Sequence, residues 1–342
     1  MPFSNIDKPS KYFNTVLYTG NGSTQSITGV GFQPDWVWIK GRSGATDHGL
    51  YDAVRGVQKQ LESNTQTAET TETTGLTAFG SDGFTVGALA QLNTSAATYV
   101  AWNWLANGAG VSNTAGSITS TVSANTIAGF SIVSWAGNQT AGASCGHGLG
   151  VVPKMIVKRR RNGDGADDWY VYTSTTGNSN SMYWTNTSAS AASGAWNSQT
   201  PTSTVFYHGS SIRENGNNMI AYCFADVKGF SQFGSWTGNG NADGTFVYLG
   251  FKPEFVMLKN ASGTNQWLIF DNTREPANIM GDYLEANSFA SQSTFDGFDF
   301  LSNGMKMRTS NTAWNASGNT YIYMAFAKNP FVSSKGIPTT AR

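Results

Sequence analysis

Three histidines, two cysteines and twenty-one carboxylates are the groups in this sequence that could carry chemistry. His48, His147 and His208 form no pair at metal-ligand spacing with one another or with Cys145 and Cys223, and no G-x-S-x-G, H-E-x-x-H or phosphate-loop pattern occurs. No metal, cofactor or disulfide is expected. Cleaving a glycoside needs only two carboxyl groups that meet in space, so the acids that recur have to be weighed one by one. They are Asp52 with Arg55, Asp271 with Arg274, and the Asp-Gly pairs Asp82-Gly83 and Asp296-Gly297. Asp52 and Asp271 each stand 18 residues after a proline, Pro34 or Pro253, with an arginine three residues on. An acid kept at a fixed distance from a turn is placed to hold that turn, and a guanidinium suits two-pronged contacts to a carboxylate or to chain carbonyls. Both pairs are read as structural turn pairs, and no catalytic residue is expected.

Other groups have a bland reading that is the better one. Asn239-Gly240-Asn241-Ala242-Asp243-Gly244 looks like the first half of a calcium loop without its closing glutamate, hence an ordinary turn. Lys158-Arg159-Arg160-Arg161 is followed by Asp164, Asp167 and Asp168, which suggests a solvated, self-neutralised turn. Aromatic rings could stack on sugars. Most lie in phase with strand cores, which leaves Trp184, Trp196 and Trp314, in stretches rich in Ser, Asn and Ala, as ligand-binding candidates. Trp184 and Trp196 fall in 174–203, the longest stretch with few strand signals.

The elements that must position these residues are announced by a threefold repeat. Gly31-Phe32-Gln33-Pro34-Asp35-Trp36-Val37-Trp38-Ile39-Lys40 returns as Gly150 to Arg159 and as Gly250 to Lys259, each time a turn glycine, a proline three residues on and an apolar run ending in a base. Glycine permits the turn, and proline, having no amide to donate, sits before the strand. Further strands follow each anchor, among them Leu61-Glu62, Tyr183-Trp184 and Leu284-Glu285 as counterparts, and Asp82-Gly83-Phe84 matched with Asp296-Gly297-Phe298 as a hairpin signal. Each copy closes on a strand of period two: Val100, Trp102, Trp104; Ile220, Tyr222, Phe224; Ile322, Met324, Phe326. The other face is small or mixed, as in a strand covered on both sides.

An aromatic content of 13%, 39 glycines and only 12% charged residues fit short strands and many turns. The expected fold is all-β, with three tandem antiparallel β-sandwich modules of jelly-roll type. The expected division is a leader (1–10), module one (11–110), a flexible connector (111–128), module two (129–228), module three (229–331) and a tail (332–342). Modules two and three should pack closely, with a looser hinge after module one. Twenty-one bases balance twenty-one acids, so no field draws the chain to nucleic acid or membrane. The start carries no signal peptide, and no apolar run reaches membrane-helix length.

The segments NIDKP and YFNTVLYTGNG, then GVGFQPDWVWIK, DAVRG, SDGFTVG and YVAWNW, resemble a family of tailed-phage virion proteins, and SNTAGSITSTVSANTIAGFSIV and HGLGVVPKMIVKRR resemble its second module. The resemblance covers residues 5 to about 230. It implies a non-enzymatic structural protein of the virion, made in the host cytoplasm, and brings no catalytic residues. The expected role is a tail-fibre or tail-tip component contacting the host surface, with other virion proteins and a host glycan as partners and a homotrimer as the assembly. The alternative is a head-decoration or adaptor protein joining virion subunits; a polysaccharide-degrading enzyme comes third.

Overall fold

The computed structural model describes residues 3–163, 167–209 and 217–339, and in it every anchor run is a strand: Trp36–Gly41, Met155–Arg160 and Phe251–Asn260. The turn glycines Gly31, Gly150 and Gly250 have φ of 88°, 73° and 75°, a region a side chain resists. In the first two copies the proline precedes the strand. In the third the strand starts earlier, and the register shifts on both sides of Pro253, as a residue with no N–H to give requires.

All the sheets are antiparallel, and one ladder order recurs in each third of the chain. An opening strand (Phe13–Thr19, Phe130–Ala136, Ser231–Thr237) pairs with the closing strand (Thr98–Trp104, Asn218–Phe224, Thr320–Pro330). The closing strand pairs with the anchor, and the anchor with a fourth strand (Gly49–Asp52, Tyr170–Thr173, Leu268–Asp271). The register makes the copies comparable residue by residue. Trp36, Met155 and Phe255 stand opposite Asp52, Thr173 and Asp271 on one side and Trp104, Phe224 and Phe326 on the other.

Both faces of these sheets are covered, because alternate residues of each strand serve two different cores. Tyr99 and Ala101 face a core private to the first repeat, Ala221 and Cys223 one private to the second, Tyr321 and Tyr323 one private to the third. Each private core is closed by short strands such as Gln25–Thr28 with Gly83–Val86, Ser144–Gly146 with Val205–Tyr207, and Phe246–Tyr248 with Gly304–Met307. The other face of all three sheets meets in one shared core containing Trp102, Trp104, Tyr222, Phe224, Met324 and Phe326. Rings from different repeats meet there: Trp36 stacks on Tyr222 at 4.3 Å and Phe13 on Phe326 at 4.9 Å, and Trp184 lies tilted against Trp38 (5.0 Å) and edge-on to Trp267 (6.5 Å). The three sheets thus surround a common centre.

Several expectations need correction. The stretch read as a flexible connector carries the strands Val111–Asn113 and Ser120–Asn125, which extend the second repeat's sheet beyond Phe130–Ala136. Val122 and Ile118 alternate inward among Ser and Thr, so the small polar residues mark an edge of the sheet. The looser first hinge does not exist either, since the first repeat contributes Trp36, Trp38, Trp102 and Trp104 to the shared core. The 174–203 stretch contains the strands Asn180–Tyr183 and Ala191–Ala192. Val171 faces Met182 just as Ile269 faces Leu284, so Met182, one residue before Tyr183, is the counterpart of Leu61 and Leu284. Asp296-Gly297 lies inside the strand Ser293–Leu301; the counterpart of Asp82-Gly83 is Asn303-Gly304, whose turn joins that strand to Gly304–Met307. The leader is tied to the body, with Asn5 N–H donating to the Lys228 carbonyl and Asp7 accepting from Ser334 of the C-terminal segment.

Candidate functional site

Asp52 and Asp271 end their fourth strands and are fully buried. Each carboxylate accepts the backbone N–H three residues on at 2.8 Å and the arginine Nε at 2.5 Å. The same guanidinium caps a chain carbonyl, Leu50 for Arg55 and Ile269 for Arg274, both at 2.8 Å. This is the turn-holding geometry that the spacing implied. A charge buried this way persists only if its other lone pairs find partners. The partners come from neighbouring repeats: Tyr222 of the second donates to Asp52 at 2.9 Å, and Trp102 of the first donates through Nε1 to Asp271 at 3.0 Å.

The third junction is built differently. Tyr222 and Trp102 correspond in register to Met324, which has no donor, and Asp52 and Asp271 correspond to Thr173. Thr173 takes the N–H of Thr176 at 3.1 Å and its hydroxyl lies 3.0 Å from that of Thr176, so the turn is kept without charge. Donor and ion pair are absent together, as the cost of an unpaired buried charge demands.

A second set of cross-junction bonds is complete. His48, Trp169 and Trp267 are equivalent positions two residues before Leu50, Val171 and Ile269. Trp169 Nε1 donates to the Glu62 carbonyl at 2.7 Å, Trp267 Nε1 to the Tyr183 carbonyl at 2.8 Å, and His48 Nε2 lies 3.0 Å from the Glu285 carbonyl. The second repeat thus reaches the first, the third reaches the second and the first reaches the third. Three head-to-tail contacts close a ring inside one chain.

The bases at the anchor ends join this work, and the solvated-turn reading of 158–161 is overturned at its first half: Lys158 and Arg159 have no exposed surface. Arg159 donates to the carbonyls of Glu62 and Thr65 at 3.0 and 2.9 Å and to that of Thr67, all in the first repeat. Burial lowers its pKa to about 10. Arg161 pairs with Glu69 of the first repeat at 2.8 Å, and Arg160 with Asp167 at 2.8 Å; Asp164 lies outside the described residues. The equivalent bases Lys40, Arg159 and Lys259 are all buried and cap chain carbonyls, and Lys158, one residue before Arg159, caps the Ala195 carbonyl at 2.7 Å. The Asn239 loop folds on itself: Asn239 and Asn241 accept backbone amides two residues on, and Asp243 pairs with Lys306 at 2.7 Å.

The tryptophans chosen as ligand candidates are core residues. Trp184 is fully buried in the shared core; Trp196, 1% exposed, donates to Ser181 Oγ at 2.9 Å under the Lys158 ammonium, 4.5 Å from its ring; Trp314, 3% exposed, packs on Phe270 and Phe298. Their loops looked open because the strands covering them are distant in sequence. One contact had no sequence signal at all: His208 Nε2 lies 3.2 Å from Cys145 Sγ, 63 residues away. A thiol beside an imidazole is a nucleophile–base arrangement. Here both are buried, Cys145 wholly, the adjoining cavity is about 10 Å³, room for about one water, and burial and Lys158 push the imidazole well below its usual range. No substrate carbonyl fits there. Cys145 and Cys223 form no disulfide, and burial raises the pKa of the Cys223 thiol.

His48 sets a pH dependence. Trp38 Nε1 donates to its Nδ1 at 2.8 Å, so Nδ1 carries the lone pair and Nε2 the proton. Burial, then the Lys40 charge, lowers its pKa to about 3. The unfolded imidazole takes a proton near pH 6.5 while the folded one refuses it, so stability is full above 6.5 and falls as pH drops toward 3, by about 1.4 kcal/mol per pH unit. Burial lowers His147 and His208 too, adding the same sign, whereas partial burial raises the half-buried Glu62 and Glu285 carboxyls, which oppose it. The comparison with His48→Gln, which retains a donor and an acceptor, isolates the histidine. Urea titrations at pH 6.5 and 5 are expected to show a shallower acid loss in the variant, and equal slopes would refute the assignment.

No curated protein matches the chain. The family described as a domain of unknown function (DUF7483) matches residues 8–330, nearly the whole chain, and the protein belongs to that family.

Proposed function

We propose that the protein is a non-enzymatic structural component of a phage virion, a tail-fibre or tail-tip part whose exposed loops contact the host surface. The observation that carries this reading is the use made of its polar chemistry: Asp52, Asp271, Arg159 and Lys40 are buried, and each bonds to a neighbouring repeat and so helps join three repeats into one body. A part that transmits contact between a particle and a surface needs this rigidity, and the resemblance of its repeats to phage virion proteins supplies the setting. Synthesis in the host cytoplasm and assembly with other virion proteins go with it. The suspected homotrimer takes a different form in this reading. One chain already covers the faces that three copies would share.

The alternative of a head-decoration or adaptor protein is favoured by the same closed ring of three, which suits a seat on a threefold position between subunits. Imaging particles labelled at the C-terminus of this chain separates the two. Label projecting from the tail is the expected result; label spread over the capsid lattice selects decoration, and no label on particles overturns both.

A further inference from the structure

We infer that the cleft between the N-terminal segment, the 226–232 link and the end of the Phe246–Tyr248 strand is a binding site for a neutral saccharide. It has a volume of about 590 Å³, within the range of small-ligand sites. Two aromatic rings stand at it with large exposure, Phe3 at 59% and Tyr248 at 60%, unlike the tryptophans, whose faces are covered. Between them lie exposed Asp226, Asn5 and Lys228, together with half-buried Gln232. Asp226 has one oxygen engaged by the Phe233 N–H at 2.9 Å.

These groups select a ligand class. A purely apolar ligand would strip water from the Asp226 carboxylate and the Asn5 and Gln232 amides and return nothing. The lining carries one charge of each sign, Asp226 and Lys228, whose Nζ stands 5.8 Å over the Phe3 ring, so it favours neither an anionic nor a cationic ligand. A pyranose ring offers both things the cleft lacks: hydroxyls that donate to a carboxylate and exchange hydrogen bonds with the exposed Asn5 amide, and a C–H face that covers an exposed ring. Position also matters. Gly229, with φ of 78°, admits no Cβ without striking Ser4 at 2.5 Å, so the link and the N-terminal segment are held together and the cleft is pre-formed.

The inference deepens the host-contact reading and rests on it for its biological meaning, but its test uses the purified 342-residue chain alone. Saturation-transfer NMR with the methyl pyranosides of glucose, galactose and mannose and with N-acetylglucosamine is expected to detect at least one binder, at roughly millimolar Kd. Tyr248→Ala and Asp226→Asn should each weaken it at least tenfold with unchanged thermal melting, as both side chains are exposed. No transfer to any probe, or binding that survives both substitutions, overturns the site. Particle imaging decides the virion reading independently.

Discussion

Arg55→Ala is expected to lower the unfolding free energy by about 3–5 kcal/mol, the cost of leaving a buried carboxylate without its cation. Asp52 would keep the Tyr222 hydroxyl and the Arg55 backbone N–H, but the Leu50 and Lys59 carbonyls, which the guanidinium caps at 2.8 and 2.9 Å, would lose their donor as well. Surface ion pairs are worth a fraction of this, so an effect of a few kcal/mol is itself the signature of the junction. The chain carries its own control. At the equivalent junction, Thr173, Thr176 and Met324 stand where Asp, Arg and the aromatic donor stand elsewhere. The triple change Asp52→Thr, Arg55→Thr, Tyr222→Met copies that solution and removes charge and donor together. It should be less destabilising than Arg55→Ala alone, because no buried ion remains unpaired. Urea midpoints of the two variants decide. An Arg55→Ala protein as stable as the wild type but impaired in host-cell binding would make the pair functional instead; a triple variant worse than the single would show that the three residues do not act as a unit.

What the sequence made legible were features whose cause is local. The anchor glycine needs a positive φ, the closing strands alternate with period two, and Asp and Arg three apart fit one turn; each of these stands in the folded chain where its pattern implied. What it hid were features whose cause lies in another repeat. Arg159 reads as solvated because its partners, the carbonyls of Glu62 and Thr65, are more than ninety positions away and carry no side-chain signature. Trp196 and Trp314 sit in polar stretches whose covering strands come from elsewhere in their repeats. The register slip at Tyr183 arose because two adjacent aromatic residues fit either face of a strand; pairing with Val171 and Tyr170 settles it. One signal pointed to buried carbonyls: a base ends the apolar run at the same place in all three copies, Lys40, Arg159 and Lys259. A base repeated at the end of a buried strand has carbonyls to cap.

The second repeat expressed alone, as residues 111–228, is expected not to yield a folded monomer. Its private core, with Trp135, Phe206 and Ala221, would remain, but the other face of the same sheet holds Phe130, Trp169, Trp184, Tyr222 and Phe224, each at most 1% exposed. Five aromatic side chains at about 150 Å² each are worth about 20 kcal/mol at 25 cal/mol per Å². Their own repeat covers part of that area; losing even half exceeds or equals what a domain of this size has to spare. The Arg159 guanidinium and the Trp169 N–H would also lose the first repeat's carbonyls. Two outcomes agree with this. The fragment precipitates, or it assembles as a trimer, because the head-to-tail contacts that join unlike repeats in the chain are available, in weakened form, between like ones. Size-exclusion chromatography with light scattering reads the assembly, and urea unfolding reads cooperativity. A monomer with a sharp transition would mean that the shared core is dispensable, and that the ring of three is a packing of independent domains.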